Sequence, residues 1–358
     1  MNNKIRAVGA ALVVALWLSL TLGAWFSPAK EYSDSENRKL EQMPEFNADT
    51  VFGTNDKGVH PFMDGFEDYS LDQFPLRDGF RSIKALFHGY VLQQSDNNGY
   101  YYKDGYLAKQ DLFLATQENS DQLAVDQKLE VLNKLYAMAM AQSGGKFYVS
   151  MVPDKSYYLA QKYGFPSLDY SILENKLKAG LPWAEYLDIT PTLELSDYYR
   201  TDTHWAQENL IPTAQFLCQA MGVAGPKAED FTPVKVDKPF YGVYHAQAAL
   251  PHVKPDTMYV MESPMLDAVT YTVEGTPKTD VYNMALLNSS DQYNIFLSGA
   301  KTGPVVIENP NATTDRHLIL IRDSFGSSIA PLMVGDYAKV TLIDLRVTYP
   351  AVIARIVD

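Results

Sequence analysis

One stretch near the C-terminal end constrains the fold of this 358-residue chain more than any other. The apolar run His317 to Ile321 reads as a strand, Asp323-Ser324 as a turn, residues 326–334 as a helix, and Lys339 to Leu345 as a second strand. A strand, a helix and a returning strand form a crossover unit, and crossovers of this kind set their strands parallel. The same alternation recurs upstream. Lys146 to Pro153 reads as a central strand, residues 171–180 as a helix, and Trp183 to Ile189 as a strand ending at Asp188. The fold class expected is α/β, with a parallel sheet and helices on both faces.

The N-terminus has a different character. Lys4 and Arg6 precede an apolar run from Ala7 to Phe26, which as a helix rises about 30 Å and matches the hydrocarbon core of a bilayer. Basic residues before the run put its start in the cytoplasm and the bulk of the chain outside. A cleavable signal is the competing reading. Leu22-Gly23-Ala24 makes a poor cleavage site and Trp25-Phe26 extend the run, which favours an uncleaved anchor. Residues 1–26 are thus an anchor or signal segment, 27–56 a polar juxtamembrane linker that docks on the body, and 57–358 the main domain.

Within that domain, residues 60–95 carry helical spacing, broken into two helices at Phe74-Pro75-Leu76-Arg77-Asp78. Tyr100 to Leu107 places aromatic β-formers around Asp104-Gly105, a hairpin signal. Residues 117–142 form a long amphipathic helix with Leu123, Leu129, Leu132, Leu135, Tyr136 and Met140 inward, stopped by Gly144-Gly145. Residues 240–300 alternate Tyr and Val in several segments and read as a β-rich insertion or flap.

Composition removes whole classes of function. Apolar residues make up 46% and charged residues 20%, as in globular proteins. A formal net charge of −13 with no basic stripe argues against nucleic acid as a partner. The single cysteine, Cys218, forbids an internal disulfide and sits in a helical setting that suits a small core residue. With one Cys and six scattered His, the common zinc clusters are excluded, and no metal or other cofactor is expected.

Two short motifs carry the chemistry. Ser324 lies just past a strand end and just before a helix, where a hydroxyl is presented on a tight turn. The helix end offers backbone N–H groups to a developing oxyanion, worth about 3 kcal/mol per donor. The plainer reading is that Asp323-Ser324 caps the helix. The second motif is Asp202-Thr203-His204-Trp205, placed at a turn that opens a helix from His204 to Met221. Its spacing lets Asp202 orient the His204 ring and leaves the other ring nitrogen to take a proton from a serine. Here the plainer reading is an Asp N-cap beside a surface His. Acid, imidazole and hydroxyl together make a candidate nucleophilic triad.

These motifs, with SENRKL (35–40), FPLRD (74–78), YYKDGYL (101–107), VPDKSYY (152–158), LDITP (187–191), IRDSFGSSIAPL (321–332) and IDLR (343–346), resemble the DHHW family and the alginate acetylation proteins. Both are SGNH-hydrolase-like proteins of polysaccharide O-acetylation. The resemblance runs over most of the chain after residue 26. It implies a three-layer α/β/α SGNH-hydrolase-like fold, with Ser324 as nucleophile, His204 as general base and Asp202 as the orienting acid. It also implies an acetyl donor delivered by a multi-spanning membrane O-acyltransferase, and a cell-surface or secreted polysaccharide as acceptor. A polysaccharide acetylesterase with the same triad, or an inactive glycan-binding scaffold, are the alternatives.

Two positions depart from the pattern. Thr203 stands where the motif's second residue is His, and Arg322 stands where relatives of the wider superfamily carry Gly. The chain also stops at Ile356-Val357-Asp358, where such folds usually continue into another strand, and whether it is truncated there is left open. Secondary candidates for substrate or oxyanion contact are Lys155, Arg346, Arg200, Arg322 and Tyr158. Lys155 is read either as a pocket residue or as a solvated lysine, and Arg200 as an ion-pair partner of the motif loop. Tyr157, Tyr158, Tyr241 and Tyr244 are candidates to stack on sugar rings. His60, His88, His245, His252 and His317 have no partners at useful spacing and receive no role.

Overall fold

The computed structural model describes residues 3–33, 35–36, 38–54, 58–110, 120–165, 168–300 and 302–357. It divides into two compact units, residues 1–94 with 249–251, and residues 95–248 with 252–358.

The first unit begins with the helix Asn3–Phe26, which is exposed along most of its length and partly covered at Leu20, Gly23 and Ala24. The segment read as a linker then pairs Tyr32–Ser33 with Arg38–Lys39, antiparallel. It docks through charge. Glu36 and Asp72 are buried and are met by Arg38, Arg77 and Arg81. Burial raises the Glu36 carboxyl, but Arg77, Arg81 and Arg38 outweigh it and hold its pKa below the usual range. The expected helix pair is present as Pro61–Asp72 and Arg77–Leu86, the second running on through Phe87–Val91 as a wider π-helical turn.

In the second unit the hairpin Tyr100–Lys103/Tyr106–Lys109 forms as read, with Asp104 at φ 52° and Gly105 at φ 85° supplying the left-handed turn. The long helix spans Ser120–Leu135 and continues as Tyr136–Met140. Residues 117–119 and the Leu123 side chain of the expected helix lie outside the described residues. Leu135 and Met140 are buried as expected. The strands read at 146–153 and 183–189 shrink to one short parallel pair, Tyr148–Val149 with Glu185–Tyr186.

The main sheet corrects the expectation of a parallel sheet. Its five strands lie in the order Thr276–Lys278, Thr270–Val273, Val305–Glu308, Lys339–Ile343, His317–Ile321. Only the last junction is parallel, in register from His317↔Lys339 to Ile321↔Ile343. The other three are antiparallel. The parallel pair is the crossover unit read from sequence, with the helix Gly326–Met333 between its strands. The remaining strands are not joined through a covering helix of crossover length, so antiparallel return is open to them. Every residue of Gly326–Met333 is buried, and Val305, Ile307, Val340 and Leu342 are at most 1% exposed, so the core lies between this helix and the sheet. Cys218, on the helix Ile211–Ala220, is in that core, and burial pushes its thiol up to about 12.

Residues 240–300 are not a separate β-rich insertion. Val243–Ala248 is helical, Tyr259–Glu262 pairs with Thr232–Lys235, and Thr270–Val273 belongs to the main sheet. The alternation at Tyr241-Gly242-Val243-Tyr244 fails as a strand because its polar groups are engaged elsewhere. Val243 N–H donates to Asp202 and the Tyr244 hydroxyl to Asp154. Tertiary bonds of this kind override β-propensity.

Candidate active site

The Asp202–His204 motif sits on a short loop closed like a clasp. Tyr198 bridges Trp205, Tyr199 N–H donates to His204 O at 3.1 Å, and Ala206 N–H donates to Asp197 O at 2.7 Å. The expected helix from His204 to Met221 is corrected. A 3-10 turn, Gln207–Asn209, intervenes, and the helix starts at Ile211, with Pro212 in its first turn. The chain cannot coil earlier because Trp205 is pinned: its indole N–H donates to Ser328 Oγ at 2.9 Å and its ring packs edge-on against Phe325.

Lys155 holds the clasp from behind. Its ammonium is fully buried and donates to the carbonyls of Tyr199, Arg200 and Asp202 at 2.7, 3.1 and 2.5 Å. Neither reading of this lysine holds: it is not solvated and it does not project into a pocket. Burial pushes its pKa down to about 8, while Asp154, Asp202 and Asp256 pull the other way. Asp256 adds a second brace, accepting from Arg200 N–H, Thr201 N–H and the Thr201 hydroxyl.

Asp202 is buried, and its oxygens have separate duties. Oδ1 accepts from His204 Nδ1 at 2.5 Å and from His204 N–H at 3.0 Å, while Oδ2 accepts Val243 N–H at 2.8 Å. Burial works against the carboxylate, but His204 and these N–H groups outweigh it and hold its pKa below the ordinary range. An Nδ1–H donated to Oδ1 leaves Nε2 as an acceptor. That nitrogen lies 2.7 Å from Ser324 Oγ. Tyr293 lies flat on the imidazole, with centroids 3.8 Å apart and planes 6° apart, and donates its own hydroxyl to Ser328 Oγ.

Ser324 occupies the turn expected of it, between the strand ending at Ile321 and the helix starting at Gly326. The helix has no side-chain cap at Phe325; Asp323 ties the turn before it, accepting Phe325 N–H at Oδ1 at 2.9 Å. The Ser324 hydroxyl faces His204 instead. The His204 ring is buried, so the plainer reading of a surface histidine does not hold.

The secondary candidates divide. Arg322 reaches Gly299 O and Asp323 O, each at 3.2 Å, and its Nε is buried with no protein partner. Burial lowers its pKa against the pull of Asp344 and Asp323. Arg346 is held by Asp344 through two nitrogens. Arg200 takes part through its backbone, while its guanidinium lies over the Tyr106 ring. Tyr158 donates to Thr190 O and packs on Tyr157 and Tyr198. Thr203 donates to the Tyr244 hydroxyl at 3.0 Å, so the motif's second position braces the loop. Among the described residues no group of three His, Cys, Asp or Glu is placed to hold a metal. Tyr293, Gly242, Val243 and Asp256 escaped the sequence reading. Their identities are commonplace, and only the fold makes them neighbours of the motif.

Fold and site together define a mixed α/β protein with a serine, a histidine and an aspartate joined in line at the end of a sheet strand. Residues 193–343 match the family model of the DHHW protein, a stretch containing all three. A DHHW family protein from Eubacterium siraeum DSM 15702 has a similar fold, with TM-score 0.57 at 19% identity over 73% of this chain and 88% of that one. Bacillus cereus PatB1 is also similar, with TM-score 0.56 at 18% identity over 70% of this chain and 88% of that one. PatB1 with a sulfonyl adduct gives TM-score 0.54 at 18% identity over 70% and 87% of the two chains. No curated protein sequence matches the chain significantly.

Proposed function

We propose that this protein is an extracytoplasmic O-acetyltransferase that moves an acetyl group onto hydroxyls of a cell-surface or secreted polysaccharide. The observation that carries the reading is the unbroken line from Asp202 through His204 to Ser324, with links of 2.5 and 2.7 Å. His204 Nε2 takes the Ser324 proton as Oγ attacks the acyl carbon. The imidazolium that forms is balanced by Asp202, whose low pKa keeps it ionised. The tetrahedral oxyanion collapses, the donor's leaving group departs with the proton from His204, and acetyl-Ser324 remains. A sugar hydroxyl then gives its proton to His204 and takes the acetyl group, which restores Ser324. Water in place of the sugar gives the esterase reaction by the same steps.

On this reading the helix Asn3–Phe26, whose most apolar 18-residue window has a mean hydropathy of 2.1, stays on the chain as a membrane anchor. The acetyl donor reaches the site through a multi-spanning membrane O-acyltransferase. Purified protein is assayed with an artificial acetyl ester, with and without an oligosaccharide acceptor. Ser324→Ala is expected to lose turnover while keeping its thermal melt. Turnover retained in that variant removes Ser324 as the nucleophile. Bacillus cereus PatB1 has been solved with a sulfonyl adduct. A sulfonyl fluoride is accordingly expected to add once to this chain, at Ser324, as read by peptide mass.

A further inference from the structure

The helix Arg77–Leu86 and its continuation Phe87–Val91 are built inside out. A helix on a water-facing body turns its apolar stripe inward and its charges outward. Here Arg77 and Arg81 face inward to buried Glu36 and Asp72. The outward face carries Leu76, Phe80, Ile83, Phe87 and Val91, exposed by 76, 44, 63, 49 and 63%. Their spacing of three and four residues sets them in one stripe, about 22 Å long. A continuous apolar strip of this kind marks a surface that something covers.

The fold also shows what lies beside it. The stripe begins at the corner Phe74-Pro75-Leu76, where Leu76 is held in the left-handed region at φ 57°. That corner packs on the last turns of the N-terminal apolar helix: a Cβ on Gly23 would lie 3.4 Å from Pro75 Cγ. Just beyond the helix, Lys30 N–H donates to Gln73 Oε1 at 2.8 Å and Gln73 Nε2 donates to Lys30 O at 2.9 Å. The head of the stripe is therefore fastened about 5 Å from the end of a membrane-length helix. With that helix across a bilayer, Leu76 lies at the level where hydrocarbon gives way to headgroups.

We propose that the 76–91 stripe is a second membrane contact, lying in the plane of the outer leaflet with its apolar side chains about 5–10 Å into the headgroup–acyl boundary. This rests on the reading of Asn3–Phe26 as a retained anchor. The occupant is lipid. The inward ion-pair network keeps the arginines satisfied while the apolar side is offered to the bilayer. Two attachments at one corner would fix the tilt of the first unit, which a single helix followed by a flexible linker does not.

The test uses the full chain with Cys218→Ala, reconstituted alone in phosphatidylethanolamine–phosphatidylglycerol nanodiscs. Single cysteines replace Ile83, Phe87, Leu16 and, as a water-facing control, Lys134, and each carries an environment-sensitive fluorophore. Circular dichroism and ester turnover check folding. Labels at 83 and 87 are expected to be quenched several-fold more by brominated acyl chains than by aqueous iodide, and the label at 134 the reverse. Iodide quenching at 83 and 87 equal to that at 134 overturns the proposal. Protection there from both quenchers also overturns it, because a protein surface then covers the stripe. The Leu16 label reads the anchor separately. If lipid bromines fail to reach it, the anchor reading and this proposal fall together. If they reach it while 83 and 87 see water, only this proposal falls.

Discussion

Gly242→Ala tests the site without altering any group in the hydrogen-bonded line. Gly242 does not adopt a left-handed φ, so alanine carries no backbone penalty there. The obstacle is space. A Cβ at 242 would overlap Asp202 at Cα, Cβ and Oδ2. Ordinary carbon contacts begin at about 3.5 Å, so Asp202 or the 242–243 backbone must withdraw by roughly 1 Å or more. Asp202 has no slack: Oδ2 is tied to Val243 N–H and Oδ1 to His204. The imidazole therefore shifts with it, away from its 2.7 Å approach to Ser324. A misplacement of about 1 Å costs on the order of 100-fold in rate, equal to about 2.7 kcal/mol of barrier. Overpacking lowers stability by a further 1–3 kcal/mol or so. The assay is turnover of p-nitrophenyl acetate, normalised to folded protein by near-UV circular dichroism, beside a thermal melt. Gly79→Ala is the control, since nothing lies within 4 Å of its added Cβ. Wild-type turnover and melt in Gly242→Ala would refute the argument that this backbone seats Asp202.

Lys155→Met leaves three buried carbonyls without their donor and is expected to lower both melt and turnover, with the wild-type KM for a small ester. Its pH signature follows from linkage. The folded-state pKa of about 8 lies below the unfolded value, so between about pH 8 and 10.4 the unfolded chain holds more protons and this lysine's contribution rises with pH, by up to about 3 kcal/mol. Chemical denaturation of wild type and variant across that range should show a stability difference that grows with pH; a flat difference contradicts the burial argument. Tyr293→Leu removes the stack on His204 and is expected to lower kcat by up to about tenfold, from a contact worth about 0.5–1.5 kcal/mol. Tyr293→Phe keeps the stack and should lose less, and equal losses in the two would show that the Ser328 bond, not the stack, places the ring.

Legibility in the sequence followed the range of the forces involved. The Asp104-Gly105 hairpin, the break at Phe74-Pro75 and the crossover around Ser324 are set by neighbouring residues, and all three appear in the fold. Of the three residues proposed as nucleophile, base and orienting acid, His204 stood out as one of six histidines, while Asp202 and Ser324 were singled out only by their local settings beside it and at a strand-to-helix turn. The direction of the remaining strands was not legible, since Val305–Glu308 and Thr270–Val273 choose partners far along the chain. The same holds for Lys155. Its burial is decided by three carbonyls 44 to 47 positions away, which no local pattern reports. Tyr293 is one of 24 tyrosines, and only its stacking on His204 separates it from the rest.

The Ser328 hydroxyl is a meeting point for distant parts of the chain. It accepts from Trp205, 123 positions away, and from Tyr293, 35 positions away, and it sits one helical turn beyond Ser324. Contacts of such long range close late, because loop entropy must be met before they form. In a nascent or half-folded chain Ser324 is therefore an ordinary alcohol, with neither its imidazole nor the aromatic plate behind it. On the proposed reading, in which the chain crosses a membrane and Ser324 is the nucleophile, the crossing polypeptide would carry no reactive hydroxyl past esters it should not touch. On that reading reactivity arrives with the completed core, and folding itself acts as the safety catch.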